Sequence, residues 1–143
     1  MKSGAVHIAG LTLTVLDKEY SVHRLKPEAE IPRNILGTSF YSISKTGEEL
    51  SIVCESDITI NSNKVDTGWS CLKVMGPLDF GLTGVLAGIS TVLAEASISI
   101  FAISTYDTDY ILVKTKDLTK GIKALETTGY YKVTKAQTKD GRD

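Results

Sequence analysis

The chain has 143 residues, of which 42% are hydrophobic and 23% charged, with a formal net charge of -1. That length suits one ordinary domain or two small ones, and the composition is that of a folded, core-forming chain rather than a disordered one. There is no basic excess to hold a phosphate backbone, which argues against nucleic acid as a partner, and no apolar run approaches the ~18 residues of a membrane span.

The N-terminal stretch MKSGAVHIAGLTLTV is too interrupted by Thr for a signal peptide, so a cytoplasmic protein is expected. LTLTVL (11–16) and EYSVHRL (19–25) read as two strands joined across a DK turn at 17–18. In HRLKPEAEIPRNIL (23–36), Pro27 and Pro32 forbid a regular helix, leaving at most one helical turn at PRNIL. WSCLKVM (69–75) reads as a strand, followed by the glycine-rich loop GPLDFGLTG (76–84).

VLAGISTVLAEA (85–96) has apolar residues at helical spacing, with Thr83 as a plausible N-cap. SISIFAIST (97–105) and DYILVK (109–114) read as strands around a turn at Asp107 and Thr108. Within the first of these, Ile98, Ile100 and Ala102 share one face, and Phe101 and Ile103 the other. One face meets the helices; the other needs cover, which a sister unit and a second chain would supply, giving a homodimer. DLTKGIKALETTG (117–129) is helical, capped by Asp117 and stopped by Gly129, and YYKVTK (130–135) closes as a strand.

Sliding the chain forward by 60 residues lays YSISKTGEELSIVCES (41–56) over FAISTYDTDYILVKTK (101–116). Ile43 then meets Ile103, Val53 meets Val113, and Glu49 meets Asp109. This is an internal duplication, each copy too small to bury much alone. The expected domains are 10–67 and 68–135, with a flexible tail at 136–143. Cys54 and Cys71 lie in strand-like runs without CxxC spacing and read as buried reduced thiols. Neither His7 nor His23 has a ligand cluster around it, so no metal or other cofactor is expected.

The order strand, helix, strand, strand, helix, strand, with a glycine loop before the first helix, resembles the ACT domain, a ferredoxin-like module that binds amino acids. Residues 76–118, above all LAEASISIFAISTYDTDYILV, are similar to the branch containing the CASTOR arginine sensors and their bacterial relatives. The resemblance implies an α+β fold of two ferredoxin-like βαββαβ units in tandem, the first with a degenerate first helix. It also implies a free amino acid as small-molecule ligand. In that branch Leu82, Thr83, Gly84 and Val85 match the segment whose backbone holds the amino acid. Gly88 and Ile89 match contacts made from the opposing domain, and Asp109 matches an acidic ligand contact.

Elementary chemistry points the same way. A helix N-terminus offers N–H donors to a carboxylate. Gly81 and Gly84 allow close backbone approach, and Asp109 suits an ammonium. Plainer roles compete: Asp107 as a turn former, Asp79 bonded to its own loop, Gly88 for helix packing, and Tyr106, Tyr130 and Tyr131 as packing residues. Leu82 stands where the arginine sensors carry an acid, so arginine specificity does not transfer. The first copy lacks the glycine loop, so one chain carries one good half-site and a complete pocket needs a second chain.

No nucleophile, base or metal constellation is present, so an enzyme is not expected. The alternatives are an assembly module without ligand, or a regulatory subunit of an amino-acid metabolic enzyme.

Overall fold

A computed structural model describes residues 10–75 and 84–136. Seven strands and two α-helices are present among them: β1 (Leu11–Leu25), β2 (Ser42–Lys45), β3 (Leu50–Glu55), β4 (Lys64–Val74), α1 (Val85–Glu95), β5 (Ile100–Ser104), β6 (Asp109–Lys114), α2 (Leu118–Thr127) and β7 (Tyr131–Lys135). The chain divides into two compact units. One is Lys18–Trp69; the other runs from Ser70 onward and includes the residues up to Asp17. Strands β1 and β4 each pass from one unit to the other.

The hairpin expected over 11–25 is not formed: these residues make one strand of 15 residues. Its two halves find separate partners, β7 along 11–15 and β3 along 20–25, and the local sequence does not favour a turn between them. A two-residue hairpin needs left-handed backbone, which Gly and Asn adopt readily and Asp17-Lys18 does not. Alternation holds in each half, with Leu13 and Val15 buried in one and Ser21, His23 and Leu25 in the other, and it breaks between them, where 17–19 are all exposed and Tyr20 is buried. β4 likewise starts at Lys64, earlier than the strand expected from 69, and accommodates Gly68 at a φ of 80° that favours glycine.

In the C-terminal unit, β5 and β6 form an antiparallel hairpin in which Ile100 faces Val113 and Ser104 faces Asp109. β6 lies beside β4. The first half of β1 lies on the other side of β4, with the Met75 N–H donating to the Thr12 carbonyl at 2.9 Å. β7 then pairs in parallel with β1, Leu11 facing Tyr131 and Val15 facing Lys135. Residues 11–15 are therefore inserted where a four-stranded βαββαβ unit would join its first and last strands directly, and they belong to this unit rather than to the first copy. Helices α1 and α2 cover one face, burying Leu13, Leu72, Val74, Ile89, Leu93, Ile111 and Leu125 in a single cluster. On the opposite face of the hairpin, Phe101 and Ile103 are half-buried.

Both helices sit close to their expected positions. α1 has no glycine at its end; Ser97 takes the left-handed conformation instead, at φ 61°, and the Ile98 N–H closes on the Leu93 carbonyl at 2.9 Å. Gly129 stops α2 at φ 80° as expected. Asp117 occupies the N-cap position of α2, but its side chain makes no capping bond, because a 3₁₀ turn at Thr115–Asp117 leads into the helix.

The N-terminal unit contains the second half of β1, β2, β3 and the first half of β4, around Leu25, Ile35, Leu50, Ile52 and Cys54. Its helical content is a single 3₁₀ turn, Arg33–Ile35, inside the expected PRNIL. No α-helix stands opposite α2 either. The linker 56–63, SDITINSN, is short and consists largely of residues that favour turns.

The two hairpins correct the repeat by one residue. Lys45 faces Leu50 and Ser104 faces Asp109, so the structural offset is 59 residues rather than 60. The turns match in detail at this offset. The Thr46 N–H donates to the Glu49 carbonyl at 2.9 Å and the Thr105 N–H to the Thr108 carbonyl at 2.8 Å. The return bonds from Glu49 N–H to Thr46 Oγ1 and from Thr108 N–H to Thr105 Oγ1 are 3.2 and 3.4 Å. Asp109 is thus the counterpart of Leu50, not of Glu49, and Thr108 is the counterpart of Glu49.

His23 in β1 is buried, with Nδ1 2.9 Å from Ser62 Oγ. Burial disfavours the imidazolium and lowers the His23 pKa below its ordinary 6.5. The unfolded chain therefore takes up a proton near pH 6.5 that the folded chain resists. Stability is fully present above that pH and falls as pH drops toward the lower folded pKa. Urea midpoints at pH 7.5 and 5.0 are expected to differ less for His23→Gln than for the parent.

Candidate functional site at one end of the C-terminal unit

The exit of β4 and the start of β6 meet on the helix-covered face, where the Thr108 Oγ1–H donates to the Val74 carbonyl at 2.6 Å. The start of α1 contributes Val85 to the same buried cluster as Val74 and Ile111. Helix α1 begins after Gly84, which sits at φ 84° and ψ 0°. A residue with a Cβ is strained there, so glycine fits the backbone needed to enter the helix. The first helical hydrogen bond runs from the Gly88 N–H to the Gly84 carbonyl at 2.8 Å. Among the described residues, the start of α1 has no side-chain cap and no acidic residue in its first turn. Its N–H donors and positive dipole end thus receive no charge from the helix itself.

Asp109 is the first residue of β6, half-buried, on the face that continues into buried Ile111 and Val113. Ser104 across the hairpin donates its Oγ–H to Asp109 Oδ1 at 2.5 Å. Asp107 is exposed at the turn, as its reading as a turn former expects.

Of the other expected contacts, Val85 and Ile89 are buried side chains of the core, and Gly88 is buried in α1. Leu82 and Thr83 lie outside the described residues, as do Asp79 and Gly81; the cap position at the start of α1 is Gly84. Among the tyrosines, Tyr131 is buried in the core, whereas Tyr106, expected to pack, is 82% exposed.

The sequence marks Thr108 only as part of a turn. In the fold it is 5% exposed, and its Oγ1–H donates to the Val74 carbonyl at 2.6 Å. Nothing local marks it, because its partner lies 34 residues earlier in the chain.

Cys54 and Cys71 are buried free thiols. Burial raises Cys54 to about 11, with help from Glu55 and Asp57, and Cys71 to about 12. Both therefore stay protonated and poorly nucleophilic at neutral pH. Among the described residues no three His, Cys, Asp or Glu side chains group as a metal site, and no helix is long and apolar enough to cross a membrane.

Helices packed on one face of a mostly antiparallel sheet, in strand-helix-strand-strand-helix-strand order, define an α+β protein of the ferredoxin-like class. The ACT-domain family model matches residues 64–127, and a separate model of an N-terminal domain matches residues 18–62. The chain carries an ACT domain over residues 64–127. It is 36% identical to the Agrobacterium tumefaciens protein Atu0741, whose crystal structure superposes with a TM-score of 0.81 over 90% of this chain and 95% of that one.

A human relative, Putative protein CASTOR3P, is 29% identical over 92 residues, 55% of this chain. The chain spans about half the length of this curated relative, 56% of it. The aspartate kinase of Clostridium acetobutylicum shares the fold at 17% identity and a TM-score of 0.60, over 91% of this chain and 36% of the kinase.

Proposed function

We propose that this protein is a regulatory, non-catalytic binder of a free amino acid. The ligand carboxylate sits on the backbone donors of residues 82–85, and its ammonium sits by Asp109. The observation that carries this reading is the pairing of Asp109 with Leu50 at the 59-residue offset. The same turn and register support a leucine that is 2% exposed in one hairpin and a carboxylate in the other. The fold accepts an apolar residue there, so turn and register alone do not demand the acid of Asp109. A helix start with no acid in its first turn and a carboxylate on the same unit match the two opposite charges an amino acid carries on one carbon.

With Leu50 in place of the acid, the N-terminal hairpin offers no second copy of this site. The second wall of the pocket is then supplied by another chain, in a homodimer. A sedimentation experiment that shows only monomer at micromolar concentration argues against that arrangement.

The test of function is thermal melting across the twenty standard amino acids. A ligand of the native state raises the melting temperature by mass action, by an amount that grows with concentration. A module used only for assembly gives no response to any of the twenty.

A further inference from the structure

Among the described residues β7 has one strand neighbour, β1. The bonds between them come from alternate residues of β7 and its flanks. The Leu11 N–H donates to the Tyr130 carbonyl at 3.2 Å, and the Ala136 N–H to the Val15 carbonyl at 2.8 Å. In a parallel pair that parity turns the N–H and C=O of Val133 and Lys135 toward the outer edge of β7. The Val133 N–H follows it, donating to Glu126 Oε2 of α2 at 3.1 Å. A groove of about 540 Å³ adjoins this edge, lined by Thr119, Ile122, Lys123, Glu126 and Thr127 of α2 and by Lys135 of β7. Ile122 is half-buried and gives the groove an apolar floor, and the exposed Lys123 and Lys135 give it positive walls.

We propose that this groove docks an extended acidic segment of a partner protein, added to β7 as a further strand. The edge supplies main-chain donors and acceptors, the floor takes an apolar side chain, and the lysines take the carboxylates at alternate positions on either side of it. Glu126 already brings a carboxylate to the Val133 N–H, so it acts as an internal plug that the incoming strand displaces. A second copy of this chain fits less well. β7, YKVTK, carries two lysines and no acid, so self-pairing gathers like charge on one short ladder. An acidic strand turns the same lysines into attraction. None of these residues belongs to the amino-acid site.

The experiment is an NMR titration of two end-capped peptides, Glu-Thr-Val-Thr-Glu and Lys-Thr-Val-Thr-Lys, into the parent, Glu126→Ala and the double variant Lys123→Ala/Lys135→Ala. The glutamate peptide is expected to shift the Val133 and Lys135 amide signals, and the lysine peptide to leave them in place. Glu126→Ala is expected to bind the glutamate peptide about fivefold more tightly, the equivalent of roughly one net hydrogen bond that no longer has to be displaced. The double lysine variant is expected to bind it about fivefold more weakly, as for two exposed ion pairs.

No shift of these amides by millimolar glutamate peptide, in any variant that folds, overturns the proposal; Glu126 and the lysines then serve only to blunt a strand edge. Equal binding of the two peptides overturns it as well. Self-association of Glu126→Ala that shifts the same amides without peptide assigns the edge to a second copy and overturns the acidic partner. Alanine suits an exposed helical position, and the parent and the lysine variant carry the test should Glu126→Ala not fold.

Discussion

Replacing Asp109 with Asn is expected to weaken amino-acid binding by about tenfold to a hundredfold, the worth of a charge-assisted hydrogen bond of roughly 1.5–3 kcal/mol. The fold is expected to survive. Asn has the shape of Asp, and its amide oxygen can accept the hydroxyl proton that Ser104 now gives to Oδ1. The neighbouring apolar positions Ile111 and Val113 are untouched. What is lost is the negative charge that attracts an ammonium in a half-buried setting, where screening by water is incomplete.

Asp107→Asn serves as the control. It removes the same charge two residues away, from an exposed turn position, and is expected to change affinity by less than about threefold, under ~1 kcal/mol. Calorimetric titration with the amino acid that gives the largest melting shift measures both. Equal affinities for Asp109→Asn and the parent would place the ammonium elsewhere.

Leu13→Ala is expected to cost about 2–5 kcal/mol, the range for emptying a leucine-sized space in a packed core. Leu13 is fully buried, faces Val133 across the parallel β1–β7 pair, and belongs to the cluster containing Leu72 and Ile111. Hydrogen exchange locates the damage. Amides of Ile111 and Leu112 in β6 are expected to lose protection well before those of Ile52 and Val53 in β3, because residues 11–15 are part of the C-terminal unit. The reverse order would assign the start of β1 to the other unit. Val65→Ala, at a position 52% exposed, is expected to move stability by no more than about 0.5 kcal/mol.

The residues by themselves determined the elements whose signal is local. The 3.6-residue apolar spacing of 85–96 marks α1, and the stop at Gly129 ends α2, because both follow from contacts within a few residues. Pro27 and Pro32 exclude a regular helix on their own, since a missing N–H and a fixed φ act at the proline itself and need no distant partner. The segment LAEASISIFAISTYDTDYILV was enough to place the chain among ACT domains.

Tertiary structure decided what depends on distant partners. Whether 11–25 folds back on itself or runs straight depends on β7 and β3, which meet its two halves from more than a hundred and about thirty residues away. The true offset of the repeat is set by strand register, and register is a property of two paired strands that an ungapped alignment does not contain. Thr108 stayed hidden for the same reason. In the sequence it is a small polar residue between two acids, and only a carbonyl brought to it by the sheet makes its hydroxyl specific. Asp109 was legible as an acid at the start of a strand. That its position holds a buried leucine in the other hairpin, so that neither turn nor register demands the acid, could be learned only once both hairpins were folded.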